Sequence, residues 1–420
     1  MINILPTISL CFYTQSLSVI FAITACFLWL ATYIYSFGYF KQESYKLDLH
    51  LTLVIACTIY TAFSANILTL FIFYTLLSFC TYYLIIHEQS QEAYKAASTY
   101  LKSTLTSSAL LFLPAIIICW YFTNNLDFQP TAIIGSKNYY LVVSLIVMYV
   151  YGISKAATFP LHYWLPKAIV APIPIYALLS SVTTVNLGIF TIAKVAVYLI
   201  GITNIEAALI KSFISVGWLE IMACFSLTFF SIKAFQQTSL KTMLAYSTLS
   251  HLSLCLLAIS LFQYKTIAIS IFHMIAHAFS ISCLFFVTGN IYIASGLTEL
   301  KDLAGIAKKL PFSMLVFSLA ALSIIGIPYS VGFTTKFSLA QSCIDTGLRG
   351  TIAISSIIIN TLFSMAYFGK IIFNAYSKGK DINIVPLPYT MLLGLILSLS
   401  GLIYMTIFSS KILKIIEILI

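Results

Sequence analysis

Residues 17–35 read LSVIFAITACFLWLATYIY, nineteen consecutive positions without a charge. A bilayer core takes about 20 apolar residues as a helix, so this run is long enough to span it. The pattern repeats along the chain. The coarse spans are 16–37, 49–64, 66–86, 103–122, 139–157, 173–200, 208–230, 242–262, 266–294, 312–333, 348–374 and 388–409. The expectation is an all-α polytopic membrane protein with about twelve crossings. Residues 64–66 make a tight turn between the second and third spans. The stretch His87 to Lys102 is amphipathic and is expected to lie at the membrane interface or to pack on a loop face.

Composition excludes the soluble alternatives. Hydrophobic residues make up 60% of the 420 positions and charged residues 8%, against roughly 25% charged in a soluble domain. The net charge of +10 sits in short loops, which topology explains without nucleic acid as a partner. Lys41, Lys46, Lys95, Lys102, Lys167, Lys233, Lys241, Lys301, Lys308, Lys309, Lys378 and Lys380 fall on one side. Lys137, Lys211, Lys265, Lys336, Arg349, Lys411 and Lys414 fall on the other. The bias places the first set in the cytoplasm and both termini outside, in the cell inner (cytoplasmic) membrane.

Residues 1–15 lack the basic segment and small-residue cleavage site of a signal peptide. The nine cysteines stand singly and read as small buried hydrophobes. No Walker loop, dinucleotide fingerprint or HExxH motif occurs. No flavin, haem or iron–sulfur frame is legible, so no cofactor is expected.

Few polar groups remain inside the spans, and charge in hydrocarbon is costly and usually functional. Lys155 stands in GISKAATFP, where Pro160 cannot donate a helical N–H. His162, Trp164, Pro166, Pro172 and Pro174 keep the following stretch irregular. A second interruption, Gly326 to Phe333, precedes Lys336 about 180 residues later. Two broken helices, each with a lysine, suggest internal repeats around a polar route. The bland alternatives are ordinary kinks and a snorkelling lysine. His273 and His277 are one helical turn apart and share a face. They suit a proton relay. They also resemble a zinc pair, but no third ligand lies near in sequence, so no metal is expected. His251 could extend the polar line. Lys194 and Lys370 lie towards span ends and read as snorkelling. Glu220 is the one carboxylate well inside a span, a candidate partner for a lysine on another helix.

The stretch KAATFPLHYWLPKAIVAPIPIYALLSSV (155–182) resembles the signature of antiporter-type proton-translocating subunits. These occur in respiratory complex I and in multisubunit sodium/proton antiporters. LKTMLAYSTLSHLS (240–253), FHMIAHAFSISCLFF (272–286), SIIGIPYSVGFTTKF (323–337) and the early FAITACFLWLATYIYSFGYF (21–40) carry the same resemblance, most like the D-type antiporter subunit. It implies fourteen helices with two inverted five-helix repeats, here with the first two helices missing. The domains are then 1–48, an N-terminal span; 49–200 and 201–374, the two repeats; and 375–420, a C-terminal span and tail.

The resemblance further implies a mid-membrane proton route. Lys155 matches the seventh-helix lysine, His273 and His277 the eleventh-helix histidines, and Lys336 the lysine after the broken twelfth helix. Other family positions are replaced. Thr75 stands where the family has a glutamate. Asn186 and Ile281 stand where it has lysines, and Ser180 where it has a histidine. Lys155 thereby loses an ion-pair partner. Three functions follow. The first is a subunit of a multisubunit Na+/H+ antiporter working with sibling subunits. The second is a structural, non-pumping subunit of such a complex. The third is a proton-translocating subunit of an NADH-quinone oxidoreductase-like complex, the one reading in which the chain is part of an enzyme.

Overall fold

The computed structural model describes residues 2–5, 8–40, 45–129, 139–202, 205, 217–379 and 382–420. Helices dominate. In chain order they are α1 (Ser16–Phe40), α2 (Tyr45–Phe63), α3 (Ile67–Ile85), α4 (Gln91–Thr123), α5 (Tyr139–Gly152) and α6 (Ile173–Ile200). There follow α7 (Gly217–Phe235), α8 (Leu240–Ser260), α9 (Tyr264–Ser295), α10 (Pro311–Ile325), α11 (Val331–Cys343), α12 (Leu348–Tyr376), α13 (Tyr389–Ile407) and α14 (Ser409–Leu419). A small antiparallel pair, Ile2–Leu5 with Ile8–Leu10, precedes them.

Among the described residues, ten helices are long and apolar enough to cross a membrane. Two shorter apolar ones, Tyr140–Gly152 and Pro311–Ile325, are the stems of the interrupted segments. Together they account for the dozen expected crossings. Asn66 confirms the tight turn at 64–66: its side chain accepts from the Thr69 N–H at 2.7 Å and caps α3.

The stretch His87–Lys102 forms a short turn and then the first part of α4. Ser90 caps that helix by accepting from Ala93 N at 3.0 Å. Ala93, Ala96, Ala97 and Tyr100 are buried. Small alanines let one face of the helix seat against its neighbours, with Glu92 and Lys95 outward. Of the expected span 208–230, residues 217–230 lie in α7; residues 208–216 lie outside the described residues, as do Lys41, Lys137, Lys211 and Lys380.

Element lengths fall into two parallel series. From α2 to α6 they are 19, 19, 33, 14 and 28 residues. From α7 to α12, with the interrupted pair counted by its stem α10, they are 19, 21, 32, 15 and 29. In each block the third helix is longest and the fourth is broken.

The apolar stretches of α6 and α9 are buried along their whole length, and that of α8 nearly so. These three form the centre, while α1, α12 and α13 expose about half or more of theirs. Tyr35 of α1 ties the rim to the centre. Its hydroxyl donates to the Phe286 carbonyl at 2.8 Å and bonds Asn290 Oδ1 at 3.0 Å, and its ring stacks on Phe286 at 4.2 Å.

Candidate functional site: two broken helices

The first break follows α5. Residues Ser154–Ala156 make one tight turn, and Ala157 adopts a left-handed φ of 51°. The turn is pinned by side chains: Trp164 Nε1 donates to the Ser154 carbonyl at 3.2 Å, and Ser107 bonds Ser154 through their hydroxyls at 2.5 Å. Gly188 of α6 presses on the backbone of Lys155 and Ala156, where a Cβ would overlap Ala156 N. Only a residue without a side chain lets α6 approach the break so closely.

This framework buries Lys155 completely. Its ammonium donates to the Tyr74 carbonyl and to Ser78 Oγ, both at 2.5 Å, and lies 3.5 Å from the centre of the Tyr74 ring. Tyr74 Oη in turn accepts from the Lys155 backbone N–H at 3.0 Å. No carboxylate lies within 4 Å of Lys155 among the described residues. Thr75 is half-buried and spends its hydroxyl on the Phe71 carbonyl of its own helix at 2.7 Å. The lysine is therefore held by Tyr74 and Ser78. Their one-turn spacing on α3 is the sequence signal that could have picked them out.

Asn186 is buried on α6 and donates to the Ser181 carbonyl and, at 3.3 Å, to the Met274 carbonyl of α9. Its Oδ1 has no partner among the described residues. Ser180 bonds only the Ala177 carbonyl in its own helix, at 3.1 Å.

The second break separates α10 from α11. Gly326 ends α10 with a φ of 85°, a conformation natural to glycine. Ser330 caps α11 by accepting from Phe333 N at 3.2 Å. Lys336, 5% exposed, reaches back to donate to the Ile325 carbonyl at 3.1 Å and to Thr361 Oγ1 of α12 at 3.3 Å. It thus sits on the carbonyl-rich end of the half-helix α10, where a cation is favoured.

Beside it the histidines gather. His273 Nδ1 bonds Thr335 Oγ1 at 2.8 Å, and its Nε2 lies 3.3 Å from His251 Nδ1. The His277 ring is 5.3 Å from that of His251 and 6.3 Å from that of His273. Both nitrogens of His277 and Nε2 of His251 are buried without a partner among the described residues. They flank a void of about 10 Å3, lined also by Ser280, Ser323 and Gly332, about the size of one water. Ile281, fully buried one turn beyond His277, adds no polar group. Among the described residues no three His, Cys, Asp or Glu side chains are arranged to hold a metal ion.

Two expectations need correction. Glu220 does not reach a lysine: its Oε2 accepts from Arg349 Nε and Nη2, each at 2.9 Å, which joins α7 to α12. The sequence misled because Arg349 reads as a loop residue. Lys194 does not snorkel. It is fully buried, with Nζ 2.8 Å from both the Ala62 and Ser64 carbonyls. The C-terminal end of α2, folded under α6, offers it partners that a span-by-span reading cannot see. Lys370 is exposed, as expected.

Residues 64–364 match the family described as NADH:quinone oxidoreductase/Mrp antiporter, TM. The chain belongs to that family. The NADH-quinone oxidoreductase subunit N of Desulforudis audaxviator (strain MP104C) is 29% identical over 320 residues, which cover 75% of this chain and 62% of the relative. The chain therefore spans about three fifths of that relative's length. Two solved structures share the fold. A chain of the membrane-bound sulfane sulfur reductase, an archaeal respiratory membrane complex, superposes with a TM-score of 0.85 at 20% identity, covering 98% of this chain and 83% of that one. A chain of the Mrp complex from Dietzia sp. DQ12-45-1b gives 0.81 at 19% identity, covering 99% and 84%. The antiporter-type membrane fold expected from the sequence is the one these comparisons show.

Proposed function

We propose that this family member is a proton-translocating, antiporter-like membrane subunit of a multisubunit complex, with its intact route in the second block. One observation carries the reading. Thr335, His273 and His251 form a bonded line that starts at the residue beside Lys336 and runs along the water-sized void. Imidazoles accept on one nitrogen and donate from the other, so such a line can pass a proton in steps. Lys336 completes it as a cation that can leave or regain the α10 carbonyl end. The shared order, a longest third helix followed by a broken fourth in each block, supports reading the two blocks as repeats. The lysine-rich loops support a cytoplasmic placement for one face, and the similarity to chains of multisubunit membrane complexes supports sibling subunits in a cell membrane as partners. Sodium is the exchanged cation on this reading.

The first block favours a second reading for its own half. Lys155 has no acid partner among the described residues, and no bonded line of imidazoles adjoins it as one adjoins Lys336. The test uses the complex that co-purifies with the chain, reconstituted in vesicles. Lys336→Ala and His273→Ala should each abolish proton-coupled cation exchange while assembly persists. Exchange unchanged in both would leave a structural, non-pumping subunit. NADH oxidation by the co-purified complex would identify the oxidoreductase setting.

A further inference from the structure

Lys194 is a buried cation that the route above does not use. Its ammonium donates to the last carbonyls around the end of α2, Ala62 and Ser64, and faces the Phe128 ring at 4.8 Å. No carboxylate lies within 4 Å of it among the described residues. A lysine that serves only as a cap could lie at the surface, where its charge is hydrated. Here it is placed at a cost that usually marks function.

Phe128 also lines a cavity of about 370 Å3. Its walls are Cys11, Phe12, Tyr13, Gln15, Ala65, Asp127 and Phe128 itself. It is the most polar in lining of the larger cavities described. Gln15 Oε1 is buried there without a partner among the described residues, and the exposed Asp127 stands at the rim. Among the described residues, Phe128 both faces the lysine and lines the vestibule.

We propose that Lys194 is a proton-exchanging station of the first block, reached from this vestibule past Phe128, with Asp127 at its mouth. The assignment rests on the proton-translocating reading above. The step balances simply: the ammonium gives one proton to a vestibule water, leaving a neutral amine and a hydronium, and the reverse step recharges it. The Ala62 carbonyl also accepts from Ser18 Oγ at 2.6 Å, so it keeps a donor whichever form the lysine takes. Lys194 lies eight residues beyond Asn186 on α6, about 12 Å along the helix. The block that has Asn186 in place of a titratable group therefore regains one on the same helix, nearer the cavity.

The experiment compares Lys194→Arg and Lys194→Met in the reconstituted complex, with Lys336→Ala as reference. Arginine keeps the charge and the donors to both carbonyls but does not release a proton. A pure cap would therefore tolerate arginine and fail with methionine. A proton station loses roughly tenfold or more in exchange rate with either, at unchanged assembly. Exchange retained in Lys194→Arg overturns the proposal. Should arginine prevent assembly, Phe128→Ala decides: thinning the wall speeds proton exchange if Lys194 is a station, and an unchanged rate overturns it. If Lys336→Ala leaves exchange intact, the translocating reading itself has failed. If Lys336→Ala abolishes exchange but Lys194→Arg does not, only the station has failed.

Discussion

Arg349→Ala should destabilise this protein more than any conservative change at Glu220. The Glu220 side chain is 3% exposed, and its Oε1 has no partner among the described residues. Both bonds from Arg349 converge on Oε2. Truncating the arginine leaves a carboxylate buried and unpaired. Breaking a fully buried pair this way costs about 3–5 kcal/mol. The Arg349 side chain is 41% exposed, so solvent screens part of the pair, and about 2 kcal/mol is the expected loss. Glu220→Gln removes the charge, keeps the shape and leaves a solvated arginine, at about 0.5–1 kcal/mol. Combining the two should cost little more than Glu220→Gln alone, because no orphaned charge remains. The assay is the unfolding midpoint of the detergent-purified protein, followed by denaturant titration for all four combinations. Equal losses for Arg349→Ala and Glu220→Gln, or a double variant as unstable as Arg349→Ala, would refute the reasoning.

Gly188→Val should push α6 off the first break, because its Cβ would meet the backbone of Ala156 rather than a side chain that could swing aside. A loss of about 1–3 kcal/mol in the same unfolding assay is expected, together with increased labelling of a cysteine placed at Ala156. Tyr35→Phe removes the hydroxyl that bonds the Phe286 carbonyl and Asn290 Oδ1. It should cost about 1 kcal/mol without altering exchange.

The spans and the two breaks were legible because both are local: apolar length sets the first, and glycine and proline at fixed positions set the second. Lys155, Lys336, His273 and His277 could be singled out for the same reason, since a charge or imidazole among apolar residues stands out. Their partners could not. Lys155 ends on Tyr74 and Ser78, residues 81 and 77 positions away, and their one-turn spacing on α3 shows a shared face without saying which distant group it receives. Thr75 seemed the critical loss, yet its hydroxyl turns back to its own helix. The polar face of His87–Lys102 left two readings open, because it is the same signal whether a helix lies on a membrane or packs against neighbours; the buried alanines show the packed face. Glu220 misled because its cation was counted as loop.

The cations at the ends of α2 and α10 carry a consequence for what can move through this chain. Lys194 and Lys336 rest on backbone carbonyls, Lys155 on a carbonyl and a hydroxyl, and the intramembrane carboxylate Glu220 is already matched by Arg349. The interior thus seats three lysines with no spare anion among the described residues. On the proposed function, a proton crosses such a region by moving on and off a lysine already there, whereas a sodium ion meets no anion to receive it, so sodium is expected to travel along a surface shared with another subunit.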